Sequence, residues 1–268
     1  LLPPVRSASK KTDAPIFAIL SAPETFQDSI WTAWSWARFL GDSVRVWFVC
    51  DGEIPNAQKK RALTVLPNGE VFSLADIVKI TKYNPPELQV CPIHARKLGL
   101  IVGLQSYCDL VYCDFDVLAF NDPTELKEGI RTRAKVQYMI ETHEIVPDSV
   151  FTKKLLKLGL AFDCNLNAGF LNLPKNSLDK SVAEELLRMW GSETPPLLLE
   201  QMIISALVSR KDSAVLDSSR YVISGSRMFW HDPDVDYDKI VSRHFTGPVR
   251  HVMYLKGLPF LKQAAKAS

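Results

Sequence analysis

What the chain lacks narrows it first. No apolar run approaches the roughly 20 residues that a membrane-spanning helix needs, and no charged-then-apolar segment marks the start as a secretion signal. Charge imbalance is missing: 32 Lys and Arg stand against 30 Asp and Glu, so composition gives no pull towards nucleic acid. The five Cys, at 50, 91, 108, 113 and 164, are odd in number and nowhere spaced Cys-x-x-Cys, which argues against a disulfide scaffold or a zinc site and for buried, reduced thiols. A reducing, cytoplasmic location is the expectation, with the Golgi lumen left open should the chain be a piece of a longer one. Internal repeats and low-complexity blocks are absent too, so one domain is the simplest account.

What is present is ordinary globular material. With 268 residues, 47% of residue types hydrophobic and 23% charged, the chain has enough apolar surface for a sizeable core. Residues 1–14, rich in Pro, Ser and Lys, read as a linker or stem, residues 15–252 as the domain, and residues 253–268 as a basic tail. Pro15 to Ala22 is a short continuous apolar run, of the kind a strand makes when both sheet faces are covered. Gln27 to Leu40 carries Ile30, Trp31, Trp34, Ala37 and Phe39 at helical spacing, and Val44 to Cys50 is a second apolar run ending in Asp51-Gly52. Strand, helix, strand with polar residues at the strand ends predicts an α/β fold with a mainly parallel sheet. Ligands in such sheets bind beyond the carboxyl ends of the strands, which points Ser21 to Phe26 and Asp51-Gly52 towards a site.

Further on, Ala57 to Val65 reads as a helix, Glu70 to Leu74 as a strand, and Pro92 to about Ser106 as a helix with Pro in its first turn and Lys97 among apolar neighbours. Lys97 is read at first as a snorkelling lysine. Val136 to Ile140 is another strand; Phe151 to Phe162, Leu178 to Trp190 and Pro196 to Val208 read as helices; Asp163 to Leu173 places polar residues just ahead of a strand. Ala214 to Leu216 and Tyr221 to Ile223 are weak strands.

The stretch that carries chemistry is Leu110 to Phe120, an apolar run interrupted by Asp114 and Asp116. Carboxylates at the end of a buried strand cost several kcal/mol unless something neutralises them, and a divalent cation is the usual answer. Residues i and i+2 of an extended chain project to one side, so both can address one ion. A hard cation on two carboxylates commonly completes its shell with phosphate oxygens, which suggests transfer from a nucleotide-diphosphate donor. A second acidic run, Asp232 to Asp238, resembles the start of a calcium loop but has Tyr237 and Arg243 where that loop needs Gly and Glu; it reads as a solvated acidic loop.

Val111-Tyr112-Cys113-Asp114-Phe115-Asp116-Val117-Leu118 resembles the Asp-x-Asp motif of GT-A (Rossmann-like) glycosyltransferases, especially the retaining family of glycogenin and bacterial lipopolysaccharide galactosyltransferases. Four further segments follow in that family's order: Lys97, Asn167-Ala168-Gly169, Glu200-Gln201, and His244 to Arg250 as a His-x-x-Gly-x-x-Arg form of its His-x-x-Gly-x-x-Lys motif. The resemblance implies metal ligation by Asp114, Asp116 and His244, with an imidazole in the set favouring Mn2+ and Mg2+ as the alternative. It implies nucleotide contacts from Ser21, Ala22, Phe26, Lys97, Phe115 and Gly247, with Phe26 as the aromatic that would stack on the base. It implies sugar contacts from Asn167, Ala168, Gly169 and Glu200, and catalytic roles for Gln201 and Arg250. The implied partners are a nucleotide-sugar donor, expected to be a UDP-sugar, and a glycan or other hydroxyl acceptor, with peripheral membrane contact through the basic tail as a weaker expectation than a solvated helix end.

Departures from that family's pattern are Glu200 for Asp, Arg250 for Lys and His251-Val252 for Pro-Trp. Arg250 keeps the charge towards the diphosphate with a different geometry, and the other two bear on the acceptor side and on sugar identity more than on donor binding. A haloacid-dehalogenase-like phosphatase also places Asp-x-Asp after an apolar strand, but on its first core strand, and a sugar-nucleotide pyrophosphorylase would need a Gly-rich loop where Ser21 to Thr25 has no Gly. A nucleotide-sugar-binding module without turnover is the remaining alternative.

Overall fold

The computed structural model describes residues 2–5, 13–86, 88, 93–141, 149–162, 165–190, 198–223 and 235–267. Cys91, Pro92, Cys164, Pro196 and Asp232 to Asp234 lie outside the described residues.

Three apolar runs predicted as strands pair side by side. Ile16–Ser21 (β1) lies between Arg45–Cys50 (β2) and Leu110–Asp114 (β4), parallel to both, and Glu70–Ser73 (β3) extends the sheet beyond β2. Their continuity as apolar runs has a geometric cause. Phe17, Ile19, Val46 and Phe48 point into one core and Ile16, Ala18, Trp47 and Val49 into another, so alternate residues are buried on opposite faces. Helix α1 (Phe26–Leu40) covers the first face; α4 (Ile93–Tyr107) and α8 (Leu199–Val208) belong to the second.

Beyond β4 the sheet continues with Leu166–Leu173 (β7), Val136–Ile140 (β6) and Ser213–Val215 (β8), giving the order β3-β2-β1-β4-β7-β6-β8. Strand β7 runs antiparallel to β4 and β6, while β6 and β8 are parallel, so the sheet is mainly parallel with one reversed strand. Strand order reverses between β1 and β4. That switch point opens a crevice at the carboxyl ends of both, where Ser21 and Asp114 stand.

Two expectations need correcting here. The run Leu110 to Phe120 is two strands: the chain turns at Phe115-Asp116, leaves the main sheet, and Val117–Ala119 (β5) pairs antiparallel with Ser242–His244 (β10), which pairs in turn with Tyr221–Ile223 (β9). Helix α1 fixes that departure. Its buried Thr32 hydroxyl donates to the Phe115 carbonyl, the Trp36 indole donates to the Val117 carbonyl at 2.9 Å, and Ser35 accepts the Ala119 N–H at 3.0 Å. The free edge of β5 is thereby satisfied by side chains. Trp36 is also stacked on Phe170 of β7, ring centroids 4.6 Å apart, an arrangement contributing about 0.5–1.5 kcal/mol beyond area burial. Second, Asn167-Ala168-Gly169 lies inside β7 and not ahead of it: Leu166 and Asn167 pair with β6 and Phe170 to Leu173 with β4, and the register shifts between them, at Ala168-Gly169.

Other elements follow the periodicity. Helices α2 (Asn56–Val65), α6 (Ser149–Lys157) and α7 (Lys180–Trp190) fall where predicted, whereas α3 (Leu74–Thr81) and α5 (Thr124–Thr132) are additions. α3 starts with Ser73 and Asp76 capping each other reciprocally, and α1 stops at Gly41, whose positive φ of 54° lets its N–H reach back to the Ala37 carbonyl. The last helix, α9 (Leu258–Ala267), buries Leu258 and Leu261 in the same core as α1 and sets Phe260 against Phe120 and Tyr237. Residues 2–5 pack against that same core: the Trp34 indole donates to the Pro3 carbonyl and the Val5 N–H to the Val65 carbonyl. Arg243 is wholly buried, donating to the Tyr237 hydroxyl at 2.7 Å, so the residues standing at two calcium-loop positions serve the small sheet.

Three of the five thiols are described, and all are free. Burial pushes Cys50 up to about 11 and Cys108 up to about 12, and moves the enclosed Cys113 upward as well. At pH 8 the thiolate share of Cys50 is then on the order of one in a thousand. Peptide-resolved mass spectrometry should find the buried Cys50 and Cys113 alkylated by N-ethylmaleimide at least about 100-fold more slowly in the native protein than in denaturant, with the half-buried Cys108 protected less; comparable rates at Cys50 and Cys113 would refute the buried-thiol assignment.

Candidate active site

Asp114 is the last residue of β4, paired with Leu20 of β1, and Asp116 follows in the turn. His244 reaches them from β10, where it pairs with Val117, and the Asp116 carbonyl accepts the Phe245 N–H at 2.9 Å. The two sheets thus meet at the motif. His244 Nε2 stands 3.3 Å from Asp116 Oδ1 and 3.9 Å from Asp114 Oδ2, and one ligand atom from each residue falls within 4.8 Å of the others. Two carboxylates and an imidazole on one side, with an open cleft on the other, suit a divalent cation that keeps positions for oxygens of a bound molecule.

The cleft is about 560 Å³. Among the described residues its wall carries five carboxylates, Asp51, Asp114, Asp116, Glu141 and Glu200, against the cations Lys97 and Arg250 and one imidazole. That surplus of negative charge attracts a cation and repels a bare diphosphate, so an anionic substrate would need a metal to enter.

Each carboxylate of the motif is held by a base. Lys97 Nζ sits 2.9 Å from Asp114 Oδ2 and the Tyr112 hydroxyl donates to Oδ1 at 2.6 Å. Lys97 is therefore not a snorkelling lysine. Burial alone would lower its pKa, but Asp114 and Glu200 outweigh that and hold it above the ordinary value. Arg250 grips Asp116 Oδ2 through Nε at 3.1 Å and Nη2 at 2.8 Å, with its guanidinium 4.8 Å above the Phe115 ring. Burial would raise Asp116, yet His244 and Arg250 keep it below the usual carboxylate value.

On the far side Asn167 organises the site. Its Oδ1 accepts the Gly169 N–H at 2.8 Å and faces His244 Nδ1 at 3.2 Å, while its amide nitrogen donates to Glu141. An acceptor facing Nδ1 places the imidazole proton there and leaves the Nε2 lone pair towards the two Asp, the tautomer a metal ligand needs. Gln201 Nε2 donates to the same Glu141 oxygen at 3.2 Å and its Oε1 accepts the Ala168 N–H at 3.3 Å. Gly169 is required by contact: a Cβ there would meet His244 Cε1 at 2.3 Å.

Of the residues singled out from sequence, Ser21, Ala22, Lys97, Asp114, Phe115, Asp116, Asn167, Gly169, Glu200, Gln201, His244, Gly247 and Arg250 all line the cleft. Ala168 contributes through its backbone. Phe26 must be corrected: it is fully buried in the α1 core against Phe48, ring centroids 5.8 Å apart, and cannot stack on a base in the cleft. Glu141 and Tyr112 were missed. A carboxylate directly after the apolar run Val136 to Ile140 repeats the signature of Asp51 and Asp114 and is the signal that could have found Glu141.

His244 gives a pH signature. Burial lowers its pKa, but Asp116 and then Asp114 overcome this and raise it above 6.5. A raised folded value means the protonated imidazole stabilises the metal-free chain fully below the unfolded pKa and ceases to do so as pH rises through the folded one. Asp116, lowered, contributes steadily well above 3.8. With chelator present, the stability gap between wild type and His244→Asn in urea should be largest near about pH 6 and shrink by about pH 8; a gap that widens would contradict this ion pairing.

No protein-family profile matches the chain, and no curated protein matches it. Solved structures do. The galactosyltransferase LgtC, in a complex with donor and acceptor sugar analogues, aligns over 94% of this chain and 95% of its own with 16% identity and a TM-score of 0.63. Mouse xyloside xylosyltransferase 1 aligns over 88% and 99% with 12% identity and a TM-score of 0.57. The bifunctional glycosyltransferase WbbM gives 15% identity and a TM-score of 0.57 over 89% of this chain, which spans about half, 46%, of that protein. At these identities the likeness establishes the fold, which is that of GT-A glycosyltransferases.

Proposed function

We propose that the chain is a metal-dependent glycosyltransferase that moves a hexose from a nucleotide-diphosphate sugar, a UDP-sugar by expectation, to a hydroxyl of a glycan or lipopolysaccharide-like acceptor with retention of configuration. The observation that carries the reading is Asp114, Asp116 and His244 converging at the sheet's switch point with Lys97 and Arg250 beside them. LgtC's own complex with donor and acceptor analogues supports the same class of partners.

In this reading Asp114, Asp116 and His244 hold Mn2+, with Mg2+ as the alternative, and the cation supplies charge neutralisation for a departing diphosphate. Arg250 lies next to that charge; on substrate binding its guanidinium is the group free to divide itself between Asp116 and a phosphate oxygen. Lys97 orients Asp114 through its contact with Oδ2. Gln201 and Glu141, tied to each other and to Asn167, present amide and carboxylate oxygens to the far end of the cleft, where a sugar hydroxyl or a developing oxocarbenium would stand. An amide is a weak nucleophile, so Gln201 acts by stabilisation.

The test is hydrolysis of a panel of nucleotide sugars by the full chain with Mn2+, with Mg2+ and with EDTA. One donor should be cleaved in metal and spared in EDTA. Donor binding without cleavage, with or without acceptors, would make the chain a binding module, and phosphate release from p-nitrophenyl phosphate with no donor cleavage would favour a phosphatase.

A further inference from the structure

A second concave site lies outside the cleft, where α1, α2, α9 and the segment 2–5 meet. It is a groove of about 440 Å³. Trp31 of α1 lines it, with the Lys262 ammonium 5.7 Å from the ring centroid. Arg61 of α2 and Lys266 of α9 complete a set of three cations drawn from two helices. None of the three has an acidic partner among the described residues. Gln27, in the first turn of α1, lines the same groove, and its amide nitrogen is shut off from solvent with no hydrogen-bond partner.

These features ask for one kind of occupant. Three cations converging without a counter-charge repel one another, and an anionic group between them removes that repulsion. The Gln27 amide nitrogen is an uncompensated donor on a half-buried side chain, which an acceptor oxygen in the groove would satisfy once that side chain turns towards it. Trp31 adds an aromatic ring of the size of a pyranose, with the Lys262 ammonium above it, so that a sugar on the indole would lie beside that cation. A free anion would make no use of the indole. A lipid headgroup layer meets exposed lysines on a convex surface, and it does not reach a donor enclosed in a slot.

The geometry points to a binding site for an acidic saccharide, with sulfate, phosphate or carboxylate between Arg61, Lys262 and Lys266 and a sugar face on Trp31. Its place suggests use. Thr25, which precedes α1 and lines the reaction cleft, is two residues before Gln27, so the start of α1 separates the two sites. An extended acceptor occupying both would gain affinity through effective concentration at the cleft. That the saccharide belongs to the acceptor rests on the transferase reading; that the groove binds it does not.

Calorimetry on the full chain with a sulfated hexasaccharide, its desulfated counterpart, sodium sulfate alone and sedimentation with phosphatidylserine vesicles tests this. The sulfated hexasaccharide should bind, with affinity at least about tenfold lower in Lys262→Ala/Lys266→Ala and lower again in high salt. Trp31→Leu should weaken the hexasaccharide and leave sodium sulfate unchanged, and unaltered melting temperatures would certify both folds. Equal binding by wild type and the double variant overturns the site, sodium sulfate binding as tightly as the hexasaccharide reduces it to a simple anion site, and vesicle binding lost in the double variant without saccharide binding replaces it with a membrane contact. Donor hydrolysis in the same variants should be unchanged; a wild type that cleaves donor but does not bind the hexasaccharide sinks this inference alone, and a wild type that binds the hexasaccharide but cleaves no donor sinks the transferase reading alone.

Discussion

Asp116→Asn should lower metal-dependent donor cleavage by about 10²–10³-fold, the range seen when a charge-stabilising group is removed from an enclosed site. The substitution is nearly isosteric, and the Asp116 carbonyl that accepts the Phe245 N–H is untouched, so the turn between β4 and β5 should persist. What is lost is the charge. In wild type that carboxylate is nearly sealed from solvent, with a relative side-chain exposure of 4%, and it faces His244 on one oxygen and Arg250 on the other. With Asn there, the metal loses its most enclosed anionic ligand, and Arg250 and His244 are left close together with less to balance them. Initial rates at saturating Mn2+, with a melting curve to certify the fold, provide the check. Turnover within tenfold of wild type in a folded Asp116→Asn protein would remove Asp116 from the metal site.

Gly169→Ala should impair the site without changing any group that touches the metal. An alanine Cβ would lie 2.3 Å from His244 Cε1, 2.7 Å from its Nδ1 and 2.8 Å from Asn167 Oδ1, all inside van der Waals contact. The backbone has little room to retreat, because Gly169 sits at an irregularity of β7 flanked by Phe170, paired with β4, and Asn167, paired with β6, and its own N–H is held by Asn167 Oδ1. The imidazole and the Asn167 amide must yield instead, which breaks the contact that sets the histidine tautomer. Overpacking of this kind costs about 1–3 kcal/mol of stability, and disturbing an outer partner of a metal-bound histidine typically costs about 10–100-fold in metal affinity. Titration of Mn2+ into wild type and variant reads the second effect directly. Unchanged affinity would mean that His244 does not ligate from this position.

The sequence makes the first half of the sheet and the centre of the site legible for one physical reason: burial on both faces turns β1, β2 and β4 into continuous apolar runs, and a charged residue at the end of such a run stands out. The same property hides the turn at Phe115-Asp116. A run that is apolar throughout reads as one strand whether or not it changes sheets, and the evidence for the change, Thr32, Ser35 and Trp36 on a helix some 80 residues earlier, has no local signature. β5, β9 and β10 are three residues each, too short for a period to show. Phe26 fails in the opposite way: an aromatic next to a strand-end loop is placed by helix phase, and the phase of α1 turns it inward onto Phe48. Lys97 and Glu141 show that partners supplied by tertiary packing, and not the flanking residues, decide whether a charge is structural or chemical.

Because Asp114 closes a strand of the large sheet while His244 closes one of the small sheet, the spacing of the candidate ligands is also the spacing of the two sheets. The aromatic cluster of Phe120, Tyr237, Phe245 and Phe260 beneath the small sheet therefore acts as the shim that sets it. Tolerance at these positions is governed by a coordination distance of about 2 Å that none of those rings touches, and a repacking that is harmless to folding can still put the ligands out of gauge.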